Sequence, residues 1–328
     1  MAGTALITAE NRAVGDRAPD ALDQAALALA RASKSPATLR AYKFDFADFS
    51  GWLQDQKLEH PADARDVARY LAAQVQAGLR ASTIERRCAA IGFHYRAMGQ
   101  DNPCSREVVR AVLAGMKRTI GVKPDKKKAL TVDLLKKVVQ KIRGDDVKAL
   151  RDKAMILICF GAALRRSELV GLDVDDITFK RRGLMLQLGR TKTDQSGKGK
   201  QLAIPDGKLK IPAAVRAYMT AAGLVDDDRV IAEGPLFRAI LKGDRVTDRR
   251  IDTESFVRML KARCEAAGLD PKKFSGHSPR RGFATTAGDE GADLRRTADA
   301  MRHKKLETTL GYMEEGNLLD EAVGKLFL

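Results

Sequence analysis

The spacing of apolar residues after Ser35 is the feature that most limits what this chain can fold into. Apolar side chains recur there at steps of three, four, three and four residues: Leu39, Tyr42, Phe46, Phe49 and Leu53. Residues at these steps share one face of an α-helix, and Ser35 followed by Pro36 is a favourable helix start. The pattern therefore predicts a helix with one face in a hydrophobic core.

Three more helices are predicted in the first third of the chain. The second runs from Asp63 to Ala77 and closes at Gly78, which can adopt the left-handed conformation that ends a helix. The third begins at Ser82 with Ser-Thr-Ile-Glu, which fits a capping box, and the fourth spans 107–118. On the third helix, apolar residues point inward (Ile84, Cys88, Ile91, Met98) and basic residues fall elsewhere (Arg86, Arg87, His94, Arg96). That basic face could follow DNA phosphates or could simply be solvated.

The second half is also predicted to be mainly helical, with one hairpin. Helices are predicted at 132–142, 147–160, 254–267, 279–288 and 293–301. Two strands, 184–188 and 201–204, flank a polar stretch at 189–200, which indicates a long antiparallel hairpin. The fold class is therefore mainly α, in this order: an arm at 1–34, an all-helical domain at 35–118, an exposed basic linker at 119–130, a mostly helical domain with a small antiparallel β-hairpin at 131–316, and a C-terminal helix at 317–328.

The charge of the chain favours a polyanionic partner. It has 59 Lys and Arg against 43 Asp and Glu, a formal net charge of +16. The basic residues are spread along many segments instead of forming one amphipathic helix, so nucleic acid is favoured over a membrane surface. No run approaches the ~18 apolar residues that a membrane span needs. Met1 to Asn11 carry no export signal, which predicts a soluble cytoplasmic protein.

The cysteines and histidines argue against a metal site. The four cysteines, Cys88, Cys104, Cys159 and Cys264, are too far apart for a CxxC knuckle and too few for a disulfide framework. We expect reduced, mostly buried thiols. The chain has four histidines and no HExxH motif, so no metal is expected.

Three local motifs in the second half combine residue types that can bind an anion. The run His277-Ser278-Pro279-Arg280 puts an imidazole three residues before a guanidinium at a helix start, where free amides and the helix dipole also favour phosphate. Arg165 lies at a helix end with Glu168 three residues later, and His303 and Tyr312 are nine residues apart. Each motif alone is weak, because a lone tyrosine is usually a core residue and a helix-end glutamate is often only an ion-pair partner.

Taken in order, these residues resemble the active-site signature of the tyrosine recombinase (phage integrase) family. The matching positions are Arg165, Lys192, His277, Arg280, His303 and Tyr312. The segments 188–193 and 275–278 look like Cre-like members, whereas the segment 306–312 is similar to the Xer branch. The resemblance implies a two-domain clamp. It is strong from Arg165 to Tyr312 and mainly architectural over 35–118.

The resemblance also implies a metal-free strand transfer on DNA. Tyr312 would form a 3′-phosphotyrosyl bond and free a 5′-hydroxyl, which Lys192 would protonate. Other groups would stabilise the phosphorane-like transition state: Arg165, Arg280, His277 and His303, oriented by Glu168. Because a 5′-hydroxyl from a partner strand can reverse the step without ATP, no nucleotide cofactor is expected.

Two positions depart from the family pattern. Family members commonly have Leu-Gly-His where this chain has Met301-Arg302-His303, and a histidine is frequent where it has Arg281. We expect both arginines to contact DNA. The full set of expected DNA contacts is Arg86, Arg87, Lys126, Lys127, Lys128, Arg190, Arg281 and Arg302.

Site-specific recombination of double-stranded DNA is the function that the resemblance favours. It implies a homotetramer on two sites and a monomer in free solution. Two alternatives stay open: a type IB topoisomerase, which uses a similar basic pocket and tyrosine, and a non-catalytic DNA-binding or architectural protein with the same fold. The final segment, 317–328, would place Leu319, Val323 and Leu326 on one helix face. We expect that helix to be donated to a neighbouring protomer, although it could pack on its own domain.

Overall fold

A computed structural model of the chain describes residues 33–121, 127–189, 199–226 and 229–317, together with Leu22 and Ala25. The chain divides into two units, residues 1–125 and 126–328. The described residues are mainly helical, and the small antiparallel sheets among them lie in the second unit. These features confirm the predicted fold class, a mainly α protein with a small antiparallel sheet.

The described part of the first unit is built from four α-helices around one core. In chain order they are α1 (Pro36–Asp55), α2 (Ala64–Gln76), α3 (Ala81–Ala97) and α4 (Glu107–Ile120). Ser35 caps α1, since its hydroxyl accepts a hydrogen bond from the Thr38 N–H at 3.2 Å, and Pro36 fills the first turn as predicted. Apolar positions predicted to face inward are buried: Phe49, Leu53, Ile84, Cys88 and Ile91.

Helix α3 begins earlier than the sequence predicts. Its first residue is Ala81 and its N-cap is Arg80, whose side chain makes no capping hydrogen bond. Ala81 is buried in the core, so packing draws this turn inward without a serine cap. The predicted capping box at Ser82 is therefore wrong. His94 is not on an exposed basic face either, because its ring stacks on Phe46 with the ring centroids 4.2 Å apart.

The described part of the second unit contains eight α-helices. They are α5 (Val132–Lys141), α6 (Val147–Gly161), α7 (Arg166–Gly171), α8 (Ile211–Ala221), α9 (Thr253–Ala266), α10 (Ser278–Asp289), α11 (Leu294–Met301) and α12 (Leu306–Asn317). Every residue of α6 from Ala154 to Phe160 is buried. A helix that is apolar on all sides belongs in the centre of a domain, and α6 is the centre of this core.

A three-stranded antiparallel sheet lies beside these helices. Its strands, in spatial order, are β1 (Ile177–Lys180), β2 (Gly183–Leu188) and β3 (Lys200–Pro205). Strands β2 and β3 are the predicted hairpin, with Leu188 opposite Lys200. Strand β1 was not predicted, nor were two ribbons, which are formed by β4 (Val225–Asp226) with β5 (Arg229–Val230) and by β6 (Arg238–Ile240) with β7 (Val246–Arg250). Strands of two to five residues are too short to show a clear alternation.

A buried contact fixes the start of helix α10. Leu130 is fully buried, and its N–H donates to the Ser278 carbonyl at 2.9 Å. Gly282 lies against it, and a Cβ at this glycine would come within 1.8 Å of the Leu130 carbonyl oxygen. Only glycine permits this approach. Leu130, which the sequence analysis placed in the exposed linker, thus belongs to the core of the second unit.

The thiols agree with the sequence prediction. All four cysteines are free, and Cys88, Cys159 and Cys264 are buried, as predicted. No helix in the described ranges is long and apolar enough to cross a membrane. The same ranges hold no group of three or more His, Cys, Asp or Glu that could bind a metal ion.

Candidate active site

Arg165 stands at the start of helix α7 and contacts Glu168 through both its backbone and its side chain. The Arg165 N–H donates to Glu168 Oε2 at 2.9 Å, and Arg165 Nη1 donates to Glu168 Oε1 at 2.5 Å. Glu168 is three residues further along the chain and lies within the same first turn. One fifth of the Arg165 side chain, 20%, stays exposed, so it remains within reach of a bound anion.

Glu168 is a buried carboxylate that two arginines share. Its Oε2 also accepts a hydrogen bond from Arg302 Nη2 at 2.7 Å. Burial by itself would raise the pKa of Glu168, but Arg302 and the hydrogen bonds from Arg165 together lower that pKa below its ordinary value. The carboxylate is therefore ionised at neutral pH and anchors both guanidinium groups.

Arg280 lies in the first turn of helix α10, which is buried. Its Nη1 donates to the Ala163 carbonyl at 2.5 Å, and its Nη2 donates to the Met301 carbonyl. Burial, and then the charges of Arg165 and Arg302, lower the pKa of Arg280 to about 10. Backbone carbonyls thus hold this buried cation in place.

His277 is the N-cap residue of the same helix, with Pro279 in the first turn as the sequence predicts. The imidazole is exposed, whereas Arg280 is buried. Partial desolvation, then Arg166, Arg280 and Arg165, lower the pKa of His277. The neutral imidazole is therefore favoured near pH 7.

His303 and Tyr312 lie close together between helices α11 and α12, with their ring centroids 6.0 Å apart. His303 Nδ1 is hydrogen-bonded to Thr309 Oγ1 at 2.9 Å, so a contact with substrate would be made by Nε2. Burial, and then the neighbouring arginines, lower the pKa of His303 to about 4. His303 is thus neutral at pH 7.

Close packing of helix α12 on helix α10 positions Tyr312. A Cβ on Gly288 would lie 2.8 Å from the Met313 carbonyl oxygen, so the glycine permits this approach. The Thr285 hydroxyl donates to the Tyr312 carbonyl at 3.2 Å. The guanidinium carbon of Arg281 lies 5.4 Å from the centre of the Tyr312 ring. The tyrosine is half-buried next to two basic side chains.

The site gathers more positive charge than its described residues neutralise. Two guanidinium groups, those of Arg165 and Arg302, are bonded to Glu168, and the carbonyl-bound Arg280 interacts with the same carboxylate only through its charge. Their mutual repulsion contributes to the lowered pKa values of Arg280 and His303. Such an arrangement favours a bound phosphate, and favours even more a transition state that gains negative charge.

Several predicted residues lie outside the described ranges. Lys192 and Arg190 fall between the end of β2 and the start of β3, and Lys126 falls in the gap at 122–126. The tail from residue 318 onward, with Leu319, Val323 and Leu326, is also outside them. Their roles stay predictions.

Arg86 and Arg87 form ion pairs within the first unit. Arg86 Nε and Nη2 donate to the Asp45 carboxylate at 2.8 and 3.0 Å. Arg87 Nη1 donates to Asp48 at 2.5 Å and to the Gln74 side chain. Carboxylates of the same unit therefore already balance both cations.

Lys127 and Lys128 are exposed. The Lys128 N–H donates to the Lys273 carbonyl at 2.7 Å, which ties its backbone to the second unit. Its side chain is in solvent, as a phosphate contact would require. The predicted DNA contact at these two lysines is not tested by this geometry.

Arg281 and Arg302 are buried, contrary to the expectation that both extend toward DNA. Arg302 exposes 5% of its side chain and donates to the carbonyls of Ala162, Ala163 and Ala300. Arg281 is 8% exposed and lies over Tyr312. A guanidinium whose donors are directed into its own protein offers few of them to a DNA backbone, so this geometry argues against a direct contact of Arg302, and the contact stays an untested prediction.

Sequence reasoning also missed three groups that shape the site. Thr309 sets the orientation of His303, and the carbonyls of Ala163 and Met301 hold Arg280. For Thr309 a signal existed, because it lies three positions before Tyr312, which is about one helical turn. No local signal marks a backbone carbonyl as an arginine ligand.

Comparisons with known proteins agree with this arrangement. The model of the phage integrase family matches residues 128–317, and the model of the phage integrase N-terminal SAM-like domain matches residues 25–99. An integrase/recombinase XerD homolog of Selenomonas ruminantium is 32% identical over 300 residues, which cover 90% of this chain and 86% of that protein. The tyrosine recombinase XerD of Bifidobacterium longum strain NCC 2705 is 32% identical over 286 residues, covering 84% and 86%.

Solved structures share the fold at lower identity. The XerH site-specific recombinase, bound to palindromic difH substrate after cleavage, gives a TM-score of 0.67 at 16% identity over 98% of this chain and 88% of that one. The Tn1549 transposon integrase, in complex with transposon right end DNA, gives 0.61 at 19% identity over 95% and 94%. The family match and the 32% identities establish what the motifs suggested: this chain belongs to the phage integrase family of tyrosine recombinases, which are site-specific recombinase enzymes.

Proposed function

We propose that this recombinase cuts and rejoins DNA strands through a covalent bond between DNA and Tyr312. The observation that carries the proposal is the surplus of positive charge around Glu168, with His303 placed next to Tyr312. A tyrosine next to a phosphate site of this kind is suited to attack a phosphodiester.

In the proposed step, the Tyr312 hydroxyl oxygen attacks phosphorus. A bond forms between this oxygen and phosphorus, and the bond from phosphorus to the 5′ oxygen of the next nucleotide breaks. Tyr312 loses its proton, which neutral His303 can accept at Nε2. Lys192 donates the proton that converts the leaving 5′ oxygen into a hydroxyl. The resulting 3′-phosphotyrosyl ester is reversed when another 5′-hydroxyl attacks it, so the cycle needs no nucleotide cofactor.

Arginines supply most of the transition-state stabilisation in this proposal. Arg165 and Arg280 would contact the non-bridging oxygens, because a planar guanidinium can donate two parallel hydrogen bonds to them. His277, at the exposed N-cap of α10, would add a further donor near the same helix N-terminus. Glu168 keeps the cluster oriented.

The assembly is inferred from related complexes. Similar structures include XerH on difH substrate, Tn1549 integrase on transposon DNA, and a lambda integrase dimer on a COC′ core site. We infer that this chain binds a specific double-stranded site in the cytoplasm. The chain would be a monomer in free solution. Four protomers would form a homotetramer on two DNA sites, and segment 317–328 would link neighbouring protomers.

A suicide-substrate experiment tests the proposal. Selection from a library of random duplexes first identifies the bound site. A nicked duplex with this site then traps the cleaved state, because the short released strand diffuses away. We expect a covalent adduct on denaturing electrophoresis with the natural protein. We expect none with Tyr312→Phe, which should keep its Kd for the site because only a hydroxyl is lost.

Each other outcome points elsewhere. An adduct that persists in Tyr312→Phe would contradict the assignment of the nucleophile. Tight binding without any adduct would favour the non-catalytic DNA-binding protein. Relaxation of supercoiled plasmids that lack the site would favour the topoisomerase.

A further inference from the structure

Arg302 has a backbone conformation that residues other than glycine rarely adopt. Its φ is 58° and its ψ is 41°, in the left-handed region. The residue closes the C-terminus of helix α11, where its N–H donates to the carbonyls of Ala298 and Asp299. Glycine would meet this backbone requirement without strain. The backbone alone therefore gives no reason for an arginine at this position, and the reason lies in the contacts of its side chain.

The Arg302 side chain joins three segments of the site. Its Nη1 donates to the Ala300 carbonyl at 2.7 Å and to the Ala162 carbonyl at 3.2 Å. Its Nη2 donates to the Ala163 carbonyl at 2.9 Å and to Glu168 Oε2 at 2.7 Å. One buried guanidinium thus connects the end of α11, the turn after α6 and the first turn of α7.

These contacts pass through groups that hold the two proposed phosphate-binding arginines. Glu168 bonds both Arg302 and Arg165, and Arg165 Nη2 donates back to the Arg302 carbonyl at 3.3 Å. The Ala163 carbonyl accepts from Arg302 and also from Arg280. A displacement of Arg302 would therefore displace both arginines.

We propose that Arg302 is a positioning residue for the recombination reaction: its buried guanidinium clamps Glu168 to the turn at Ala162–Ala163 and so fixes the side chain of Arg165. The proposal rests on the proposed function. Arg302 does not touch DNA, and it acts through Glu168 and Arg165.

A second consequence concerns the charge around His303. The groups that face this imidazole are Arg280 from α10, Arg165 from the start of α7, Arg302 from the end of α11, and the Tyr312 ring from α12. Each arginine disfavours the protonated form of His303. Loss of the Arg302 charge should therefore raise the pKa of His303, and less than loss of Arg280 or Arg165 would, because Arg302 has the smallest effect of the three.

The chain offers a matched control in the same unit. Asp152 is another buried carboxylate shared by two arginines, since it accepts hydrogen bonds from Arg151 at 2.9 Å and from Arg263 at 2.7 Å. The bond from Arg263 joins α9 to α6, the bond from Arg151 lies within α6, and in the described residues neither reaches Glu168. Arg263→Met therefore removes one of two arginines that share a buried carboxylate, at a place away from Tyr312.

The test compares Arg302→Met and Arg302→Lys with Arg263→Met. In Arg302→Met, the single-turnover cleavage rate on the nicked duplex should fall about 10- to 100-fold. This range is taken by analogy from metal sites, where loss of a residue that orients a functional side chain has an effect of this size. Its Kd for the duplex should change less than about twofold, because the residue is away from DNA. Arg302→Lys keeps the positive charge but lacks the planar set of N–H donors of a guanidinium, so its cleavage rate should be intermediate. Arg263→Met should cleave at nearly the natural rate.

A titration of the His303 ring signal by NMR supplies a readout that needs no catalysis. We expect a higher pKa in Arg302→Met and an unchanged pKa in Arg302→Lys and Arg263→Met. The proposal is overturned if Arg302→Met cleaves at the natural rate, if its loss lies in Kd, or if Arg263→Met loses as much cleavage. An unchanged His303 titration in Arg302→Met also contradicts it. If the natural protein forms no adduct, the proposed function fails while this titration still decides whether Arg302 acts on the site. If Arg302→Met does not fold, the cleavage rate of Arg302→Lys decides, because cleavage at the natural rate in that variant would overturn the proposal.

Discussion

Arginine clusters in the two units of this protein differ in their charge balance. In the first unit two arginines meet two carboxylates: Arg86 and Arg87 with Asp45 and Asp48. In the second unit, three arginines surround one carboxylate among the described residues: Arg165 and Arg302 are bonded to Glu168, and Arg280 interacts with it only through its charge. A balanced cluster needs no further ion, whereas an unbalanced one retains a positive potential that only an added anion relieves. The supply of carboxylates therefore distinguishes the cluster of the first unit from the site around Glu168.

The histidines show the same contrast. In the first unit, burial lowers the pKa of His60 and His94, and no arginine contributes. In the second unit, arginines add to desolvation in lowering the pKa of His277 and His303. Of the four histidines, the two near Tyr312 are thus the ones whose pKa values arginines lower.

Removing one arginine from each cluster should produce the largest difference. Arg280→Ala should lower the cleavage rate about 10²- to 10³-fold, the loss expected for one donor to a developing oxyanion. Arg86→Ala should leave the rate nearly unchanged, because Asp45 already neutralises that charge. Single-turnover cleavage of the nicked duplex measures both, with circular dichroism to confirm folding. Similar losses in the two variants would abolish the comparison.

Removing the carboxylate of each cluster should lower the free energy of unfolding by different amounts. Glu168→Gln should lower the free energy of unfolding by about 3 kcal/mol, because it leaves buried guanidinium groups without a counter-charge. Asp45→Asn should cost about 1 kcal/mol, because half of the Arg86 side chain is exposed and can turn to water. Urea unfolding followed by circular dichroism reports on the whole chain, and fluorescence of Trp52, the single tryptophan, reports on the first unit. A larger cost for Asp45→Asn would reverse our interpretation of the two clusters.

An added anion should stabilise one unit only. Orthovanadate can take the five-coordinate geometry of the transition state, so it should bind near Arg165 and Arg280. At an orthovanadate concentration of ten times its Kd, the free energy of unfolding of the second unit should rise by about 1.4 kcal/mol. The transition followed by Trp52 fluorescence should not move. A shift of that transition would mean that the first unit also holds unbalanced positive charge.

The pH dependence of the first unit should be the smallest effect. The pKa values of His60 and His94 are lowered in the folded protein, so the unfolded chain binds more protons once the pH falls below the ordinary histidine pKa near 6.5. Stability is complete above that pH and decreases as the pH falls through the folded pKa values. His94→Phe should keep the stacking on Phe46 and reduce this decrease, as measured by Trp52 fluorescence between pH 7.5 and 5. An unchanged pH profile in His94→Phe would assign the decrease to other groups.

Helices were predictable because their signals lie within a few turns of chain. Ser35 with Pro36 starts α1, and Gly78 follows α2 with a positive φ of 73°. The motif around His277 predicted a helix start that the structure confirms. Short strands such as β1 and the start of α3 were not predictable, because packing against distant residues outweighs weak local preferences there.

By itself, the sequence determined the order and spacing of the residues from Arg165 to Tyr312, and this was enough to indicate the family. It also determined which segments are helical, since periodicity and caps act over neighbouring residues. Only the tertiary structure decided which cations are neutralised. Arg86 meets Asp45 across 41 positions, and Arg302 meets Glu168 across 134. The electrostatic state of a guanidinium depends on the carboxylates and carbonyls that folding brings to it, and no local pattern records those partners.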